Sequence, residues 1–559
     1  MRHLSSILFG CLLHVLFFAT LAKAEISTLD HKVADIIGRH LSPASSAPPI
    51  TICRECVYDR DALRDFYQAR HFLPAWSTNG RTGKASRDLV DAIRQSDSHG
   101  LVPEHYHLLA IETMLATLAD APSIEQLASL DLLLTDAFLV LGSHFFKGRI
   151  NPATIDPEWQ VRRDNGDLTQ ILRLALANGN VKNALEELLP KNQIYAGLRR
   201  ALARYRQMAA AGEWSAIPAG PKLASGDNGP RVAALRRRLA AEDETITPEG
   251  DIFDGGLAAA VRRFQARHGL DTDAVVGRNT LTALNIGAEE RLHQIELNLE
   301  RWRWLPRELG QRHIIVNIAG FELTLMENDR SVLSMRVVVG KPYRRTPVFS
   351  GAVSTIVLNP TWEVPASIAA QDLLPKIKKD PGFLAKNGYR LFRGWNSGSE
   401  EVNPATVNWR AVRDNTFPFR LRQEPGPLNA LGRVKFLFPN PHDVYLHDTP
   451  SRSLFSRDMR TFSSGCIRLE KPLELAVHLL RGTPLADRKI LDEALASGKT
   501  QSIRLTEKVQ VHLLYWTAWA DDDNTVHFRG DIYDRDRTLW QAMQQPPPAV
   551  AGQPVPKNS

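Results

Sequence analysis

Near residue 310 the spacing of apolar residues changes from the three-and-four step of a helix to strict alternation, and this change divides what the chain can fold into. Upstream, Leu127 to Phe146 is apolar enough for a buried helix, and Ala-rich Leu198 to Met208 predicts another. Downstream, Ile314, Val316 and Ile318 alternate, as do Phe321, Leu323 and Leu325, while Val337 to Val339 reads as a buried run. Gly320 and Asn328-Asp329 fall where turns between these runs are needed. A helical part followed by a β-rich part is expected. At 559 residues the chain exceeds one ordinary core, so several domains are expected. A hydrophobic share of 43% and a charged share of 23% argue against a disordered, collagenous or multi-span membrane protein.

Residues 1–24 read as an export signal: Arg2 and His3 start it, Leu4 to Leu21 is almost wholly apolar, and Ala22-Lys23-Ala24 supplies small residues for cleavage. The alternative is an uncleaved membrane anchor, the only route to a membrane that the sequence offers. Loss of Arg2 and Lys23 takes the net charge from +7 to +5, a balance suited to a carboxylate-bearing partner. The basic residues are dispersed and the chain reads as exported, so no nucleic-acid partner is expected. Residues 25–50 read as a tether ending in Ser42-Pro43-Ala44-Ser45-Ser46-Ala47-Pro48-Pro49, and 51–216 as a helical domain. Residues 217–288 form a smaller module, with Val232, Leu235 and Leu239 on one helix face and Leu257, Val261 and Phe264 on a second. A linking helix fills 289–309, and the β-rich domain occupies 310–505. The Pro-, Lys- and Trp-containing stretch 363–430 interrupts its strands, as a lid or binding loop would. Strand character returns at Val434 to Phe438 and Asp443 to His447, and Pro472 starts a helix. Residues 506–543 are an extension expected to pack on the helical or the β-rich domain, and 544–559 a disordered tail.

Cys11 leaves with the signal, and Cys53 and Cys56 form a C-x-x-C pair, expected as a small local disulfide in an oxidising compartment; a redox dithiol or half a zinc site are the alternatives. That leaves Cys466 without a partner, and catalysis would explain it. Acyl transfer by a thiol needs a base within reach and donors aimed at the developing oxyanion. His447 ends a predicted strand, and Cys466 follows Ser463-Ser464-Gly465. Gly465 permits a turn in which the amides of Gly465 and Cys466 point at one oxygen. A neighbouring imidazole is expected to lower the thiol pKa. Arg468 suits bidentate contact with a substrate carboxylate, or a surface ion pair. Tyr445 shares a strand face with His447 and either lines the cleft or packs.

His447, 18 intervening residues, then Ser-Ser-Gly-Cys with Arg468 after it resembles the signature of L,D-transpeptidase catalytic domains. The segment AVRRFQARHGLDTDAVVGRNTLTALN, after Phe253-Asp254, resembles a type 1 peptidoglycan-binding module. Phe66 to Trp76, His99-Gly100-Leu101 and Gly148-Arg149-Ile150 resemble the scaffold domain of the large Gram-negative members. The resemblance implies a multidomain fold with a β-rich catalytic domain, and assigns 363–430 as a substrate-capping subdomain. It also implies a periplasmic enzyme without metal or organic cofactor, acting on peptidoglycan stem peptides and glycan, with cell-wall synthesis proteins as further candidate partners. Cys466 would take an acyl group from a tetrapeptide stem, releasing D-Ala, and pass it to another stem as a 3→3 cross-link. Transfer to water, or a wall-binding scaffold without catalysis, are the alternatives. The carbonyl of Asp448 would orient the imidazole. Many members read Ser-His-Gly-Cys; Ser464 replaces that histidine here, so its role does not carry over.

Overall fold

The structure is a computed structural model that describes residues 27–42, 51–52, 55–117, 122–161, 166–396, 398–414 and 416–546. The expected signal at 1–24 and the tail from 547 lie outside the described residues, as does Cys53 and with it the expected Cys53–Cys56 pairing.

The tether expected over 25–50 is corrected: Thr28–Leu41 forms helix α1. Ser27 caps it, its Oγ accepting from the Asp30 amide at 3.0 Å. Val33, Ile36, Ile37 and Leu41 form a buried face against the long helix α2, Ile124–Lys147. The helical spacing was present, but the Pro-rich run behind it dominated the composition. Helix α2 is the axis of the helical domain, and its buried polar side chains organise the segment ahead of it. Asp131 accepts from the Tyr67 hydroxyl at 2.6 Å and from the Ala75 and Trp76 amides at 2.7 and 3.0 Å. Thr135 accepts the Trp76 indole N–H at 2.8 Å. A buried carboxylate is tolerable because each oxygen finds a donor.

Helix α3 (Gln193–Ala210) leads to the small module, whose helices α4 (Pro230–Ala240), α5 (Gly255–Arg267) and α6 (Arg278–Leu284) enclose a core of their own. The linking helix α7, Ala288–Arg303, is buried over most of its second half. Trp302 at its end stacks on Trp516 at 4.4 Å, and Trp304 meets Trp159 edge-on at 4.8 Å. One hydrophobic core therefore runs from the helical domain through α7 into the β-rich domain.

That domain closes into a barrel. Its strands are β1 (Arg312–Asn317), β2 (Glu322–Glu327), β3 (Arg330–Gly340), β4 (Val348–Leu358), then, beyond the insertion, β9 (Val434–Leu437), β10 (Leu446–His447), β11 (Thr461–Ser463), β12 (Ile467–Leu469) and β13 (Gln501–Leu514). The order β9-β10-β12-β3-β2-β1-β13-β4 returns to β9 through an antiparallel β4–β9 ladder, and β11 lies outside it on β3. Strand character expected from Asp443 is confined to Leu446–His447, because Asp443 takes a left-handed φ of 53°. The boundary at 505 is also corrected: β13 runs through it, parallel to β1 and antiparallel to β4, and the ring would be open without it. After it, β14 (Ala518–Ala520), β15 (Val526–Phe528) and α9 (Arg535–Met543) pack on α3, α5 and α7.

The insertion leaves from β4 and returns into β9. Its strands β5 (Trp362–Glu363), β6 (Tyr389–Arg393), β7 (Glu400–Val402) and β8 (Arg420–Gln423) form an antiparallel sheet in the order β5-β8-β6-β7. Helix α8 (Leu374–Lys379), preceded by a π-helical turn at Ala369–Leu373, packs on it around Ile377, Leu391 and Leu421. We call this unit the cap.

Candidate active site

Between cap and barrel lies a cavity of about 1530 Å³, lined by Cys466, His447, Tyr445, Arg468 and Ser464 from the barrel and by Trp362, Gln371 and Asp372 from the cap. Strand β12 runs parallel to β10 with Leu446 opposite Ile467 and His447 opposite Arg468. The bend before β12 thus sets Cys466 near Tyr445. Six Lys and Arg side chains line the cavity against four acidic ones, a bias towards anionic ligands.

His447 is buried, and its Nδ1 lies 2.5 Å from the Asp448 carbonyl oxygen. That acceptor requires the proton on Nδ1 and leaves Nε2 unprotonated, able to accept a proton. The Asp448 side chain is not a third triad member: its carboxylate accepts from the Arg433 amide at 2.8 Å and pairs with Arg452 at 3.5 Å. The Cys466 thiol is half-buried and donates to the Asp443 carbonyl at 3.7 Å rather than to the imidazole, with Tyr445 close by.

Two expectations are corrected here. A low-pKa thiol does not form: burial pushes the Cys466 thiol up, against the opposing pull of Tyr445, Lys435 and Arg468. Burial, with Arg468 adding to it, brings His447 down to about 3. The resting pair is neutral. The Gly465 amide does not join an oxyanion pair either, because it donates to Ser463 Oγ at 3.1 Å. Gly465 has φ 116°, and this turn directs its carbonyl to Thr346 Oγ1, which donates at 2.8 Å.

Arg468 faces the cavity with no ion pair among the described residues, and its buried Nε has no hydrogen-bond partner. The surface ion pair considered for it is not made. Ser464 accepts from Arg344 at 2.8 Å. Tyr445 lines the cavity as well as packing, with Lys435 Nζ 3.8 Å above its ring.

Sequence reasoning missed Lys435, Arg344, Thr346 and Tyr533. Lys435 could have been found, since it is the polar member of the alternating run Val434 to Phe438, and it pairs with His447 across the ladder. The loop 341–346 carries no local signal. Its role depends on Thr346, which bonds both the Gly340 amide and the Gly465 carbonyl, and on Tyr533, whose hydroxyl donates to the Gly340 carbonyl at 2.6 Å and accepts from the Thr346 amide at 3.2 Å.

Residues 311–486 match the family described as L,D-transpeptidase catalytic domain, residues 61–202 the scaffold domain, and residues 228–284 the "Putative peptidoglycan binding domain". A curated relative from Haemophilus influenzae, "Putative L,D-transpeptidase", is 39% identical over 246 residues, 44% of this chain and 48% of the relative. The chain thus matches about half the length of that protein. Among solved structures, an L,D-transpeptidase from Stackebrandtia nassauensis aligns at 14% identity over 54% of this chain and 96% of its own, with a TM-score of 0.22. One from Mycobacterium smegmatis aligns at 11% identity over 36% and 58%, with a TM-score of 0.18. The chain thus carries a region that matches the L,D-transpeptidase catalytic domain, joined to regions that match a scaffold domain and a peptidoglycan-binding domain.

Proposed function

We propose that the chain is an exported L,D-transpeptidase that forms 3→3 peptidoglycan cross-links through a thioester on Cys466. The observation that carries this reading is the meeting of Cys466 and a His447 ring fixed by the Asp448 carbonyl in one capped, cation-rich cavity. Cys466 Sγ attacks the carbonyl carbon of the third residue of a donor tetrapeptide stem while its proton passes to His447 Nε2. The C–N bond to terminal D-Ala then breaks, the imidazolium returns the proton to the leaving amine, and a thioester remains. The side-chain amine of an acceptor stem attacks that thioester, giving its proton to His447. A new amide forms and the thiol is restored. One amide replaces another, so no external energy source is needed. The Cys466 amide is the backbone donor available to the oxyanion, and Arg468 is free to meet a stem carboxylate.

The predicted signal at 1–24 supports action in the periplasm, and no helix among the described residues is long and apolar enough to cross a membrane. The test is incubation of the purified protein with disaccharide-tetrapeptides and mass analysis of the products. A cross-linked dimer with loss of D-Ala, abolished in Cys466→Ala, is expected. Tripeptide without dimer would replace transfer by hydrolysis. Unchanged substrate, together with no covalent adduct from a carbapenem, would reduce the chain to a wall-binding scaffold.

A further inference from the structure

The loop between β3 and β4 touches the nucleophile turn on one side and the cap on the other. On the first side, Thr346 Oγ1 donates to the Gly465 carbonyl at 2.8 Å and the Lys341 amide donates to the Ser463 carbonyl at 3.1 Å. On the second side, Arg344 Nη1 reaches Asp372 Oδ2 in the cap at 2.5 Å, and Nη2 bonds the Gln371 side chain. The same Nη1 donates to Ser464 Oγ at 2.8 Å, two residues before the nucleophile. One guanidinium therefore holds cap and nucleophile turn together across the cavity. Asp372 and Gln371 lie within the π-helical turn that precedes α8 in the cap, a distortion that aims both side chains at one point.

The Arg344–Asp372 pair is not an ordinary surface contact. The Arg344 side chain is only 15% exposed and Asp372 32%. The fork geometry of arginine is also what allows three acceptors to be served at once; the single ammonium of lysine has neither the reach nor the spread to do so. The loop itself cannot slacken, because Gly340 lies so close to it that a Cβ there would meet the Arg344 carbonyl oxygen at 2.1 Å. Movement of the cap that breaks the Asp372 contact would free the Arg344 side chain and remove the donor on Ser464.

We infer that Arg344 is a clasp that holds the cap closed over the donor stem and, through Ser464 and the stiff loop, couples cap closure to the placement of Cys466. It is a positioning residue for the reaction proposed above, and the inference rests on that reading for the identity of the substrate. Cap opening admits the stem; closure brings Gln371 and Asp372 back onto the guanidinium, which re-sets the turn from Ser463 to Cys466.

The test uses the full chain and a readout that does not need transpeptidation: the rate at which iodoacetamide alkylates Cys466, followed by intact mass, beside hydrogen exchange over 366–379. In Arg344→Ala and in Asp372→Asn, alkylation should rise at least threefold and exchange over 366–379 should quicken, with the melting transition of the barrel kept. For stem substrate, Asp372→Asn should raise KM while Arg344→Ala also lowers kcat, since only the latter strips the donor from Ser464. Arg344→Lys should recover part of the KM and little of the kcat. Alkylation and exchange unchanged in both Arg344→Ala and Asp372→Asn would overturn the clasp. Absence of cross-linking in the wild type would overturn the functional reading instead, and leave the alkylation result to decide the clasp.

Discussion

Desolvation sets the protonation of Cys466 and His447 before substrate arrives. Burial takes the imidazole down to about 3 and the thiol above its ordinary 9.0, so the pair is uncharged at neutral pH. In the proposed reaction, proton transfer to Nε2 would then have to accompany S–C bond formation, with the histidine as base in that step rather than as the counter-ion of a standing thiolate. Alkylation of Cys466 should therefore climb with pH past 9.0 without a plateau near neutrality, and a plateau below pH 7 would contradict the neutral pair. His447→Asn should lower thioester formation with a carbapenem by about 10²–10⁴-fold, read by intact mass against time. The same burial has a stability consequence. The unfolded imidazole titrates near 6.5 and the folded one near 3, so between these values the unfolded chain holds a proton that the folded chain lacks. Stability falls as pH drops through that window and is unaffected above it. The melting temperature of wild type should accordingly decline more steeply than that of His447→Asn from pH 6.5 to 4, and parallel curves would refute the assignment. The proposed nucleophile and base were legible because they lie within one short segment, and the Asp448 carbonyl was named only through the family resemblance. The neutral pair was not, since it depends on burial by strands and on Arg468 and Lys435, which come together only in the fold.

Among the elements, the loop from Gly340 to Thr346 is the most constrained, because barrel, nucleophile turn and C-terminal extension all bond to it. A Cβ on Gly340 would lie 2.1 Å from the Arg344 carbonyl oxygen and 2.8 Å from the Thr346 amide. Both are backbone atoms that cannot rotate aside. Gly340→Ala should cost about 1–3 kcal/mol as overpacking does, seen as a lowered melting temperature with slowed acylation, whereas Gly530→Ala, with nothing within 4 Å, should change neither. Equal behaviour of the two would mean that the loop relaxes freely. The strands β1 and β2 were readable because one face of each is buried, which writes alternation into the sequence, and β3 because its last residues are a continuous buried run. Closure of the barrel was not readable. The first half of β13, Gln501 to Lys508, is mostly exposed and polar, and its register shifts between Arg504 and Val509, so the period-two signal breaks where the strand begins.

At the scale of the molecule, the catalytic barrel and the peptidoglycan-binding module are tied through shared contacts and not through the linker alone. The module keeps its own core, yet Glu242 at its edge accepts from Tyr205 of helix α3 at 2.6 Å while pairing with Arg238 at 2.6 Å and Arg267 at 3.1 Å. Burial opposes the charge on Glu242, but Arg267 and Arg238 outweigh it and hold the carboxyl well below its ordinary range. From the other side, Phe528 of the C-terminal hairpin stacks at 5.7 Å on His268 of the module and lies 4.6 Å beneath the Arg291 guanidinium of the linking helix. Arg529 beside it donates to the Arg267 carbonyl at 2.9 Å. On the proposed function, a glycan strand held by the module would sit at a set distance from the Cys466 cavity, which suits a reaction between stems on fixed strands. Phe528 is the joint of this arrangement, and its truncation separates docking from catalysis. Phe528→Ala should cost about 3–5 kcal/mol at the interface, increase hydrogen exchange in α5 and β15, and expose the segment between α3 and α4 to protease. The alkylation rate of Cys466 should stay at the wild-type value, because the barrel core and the Arg344 contacts are untouched. Cross-linking of intact wall should then fall more than cross-linking of soluble disaccharide-tetrapeptides. An equal loss on both substrates would show that Phe528 supports the barrel itself rather than the alignment of the module with the cavity.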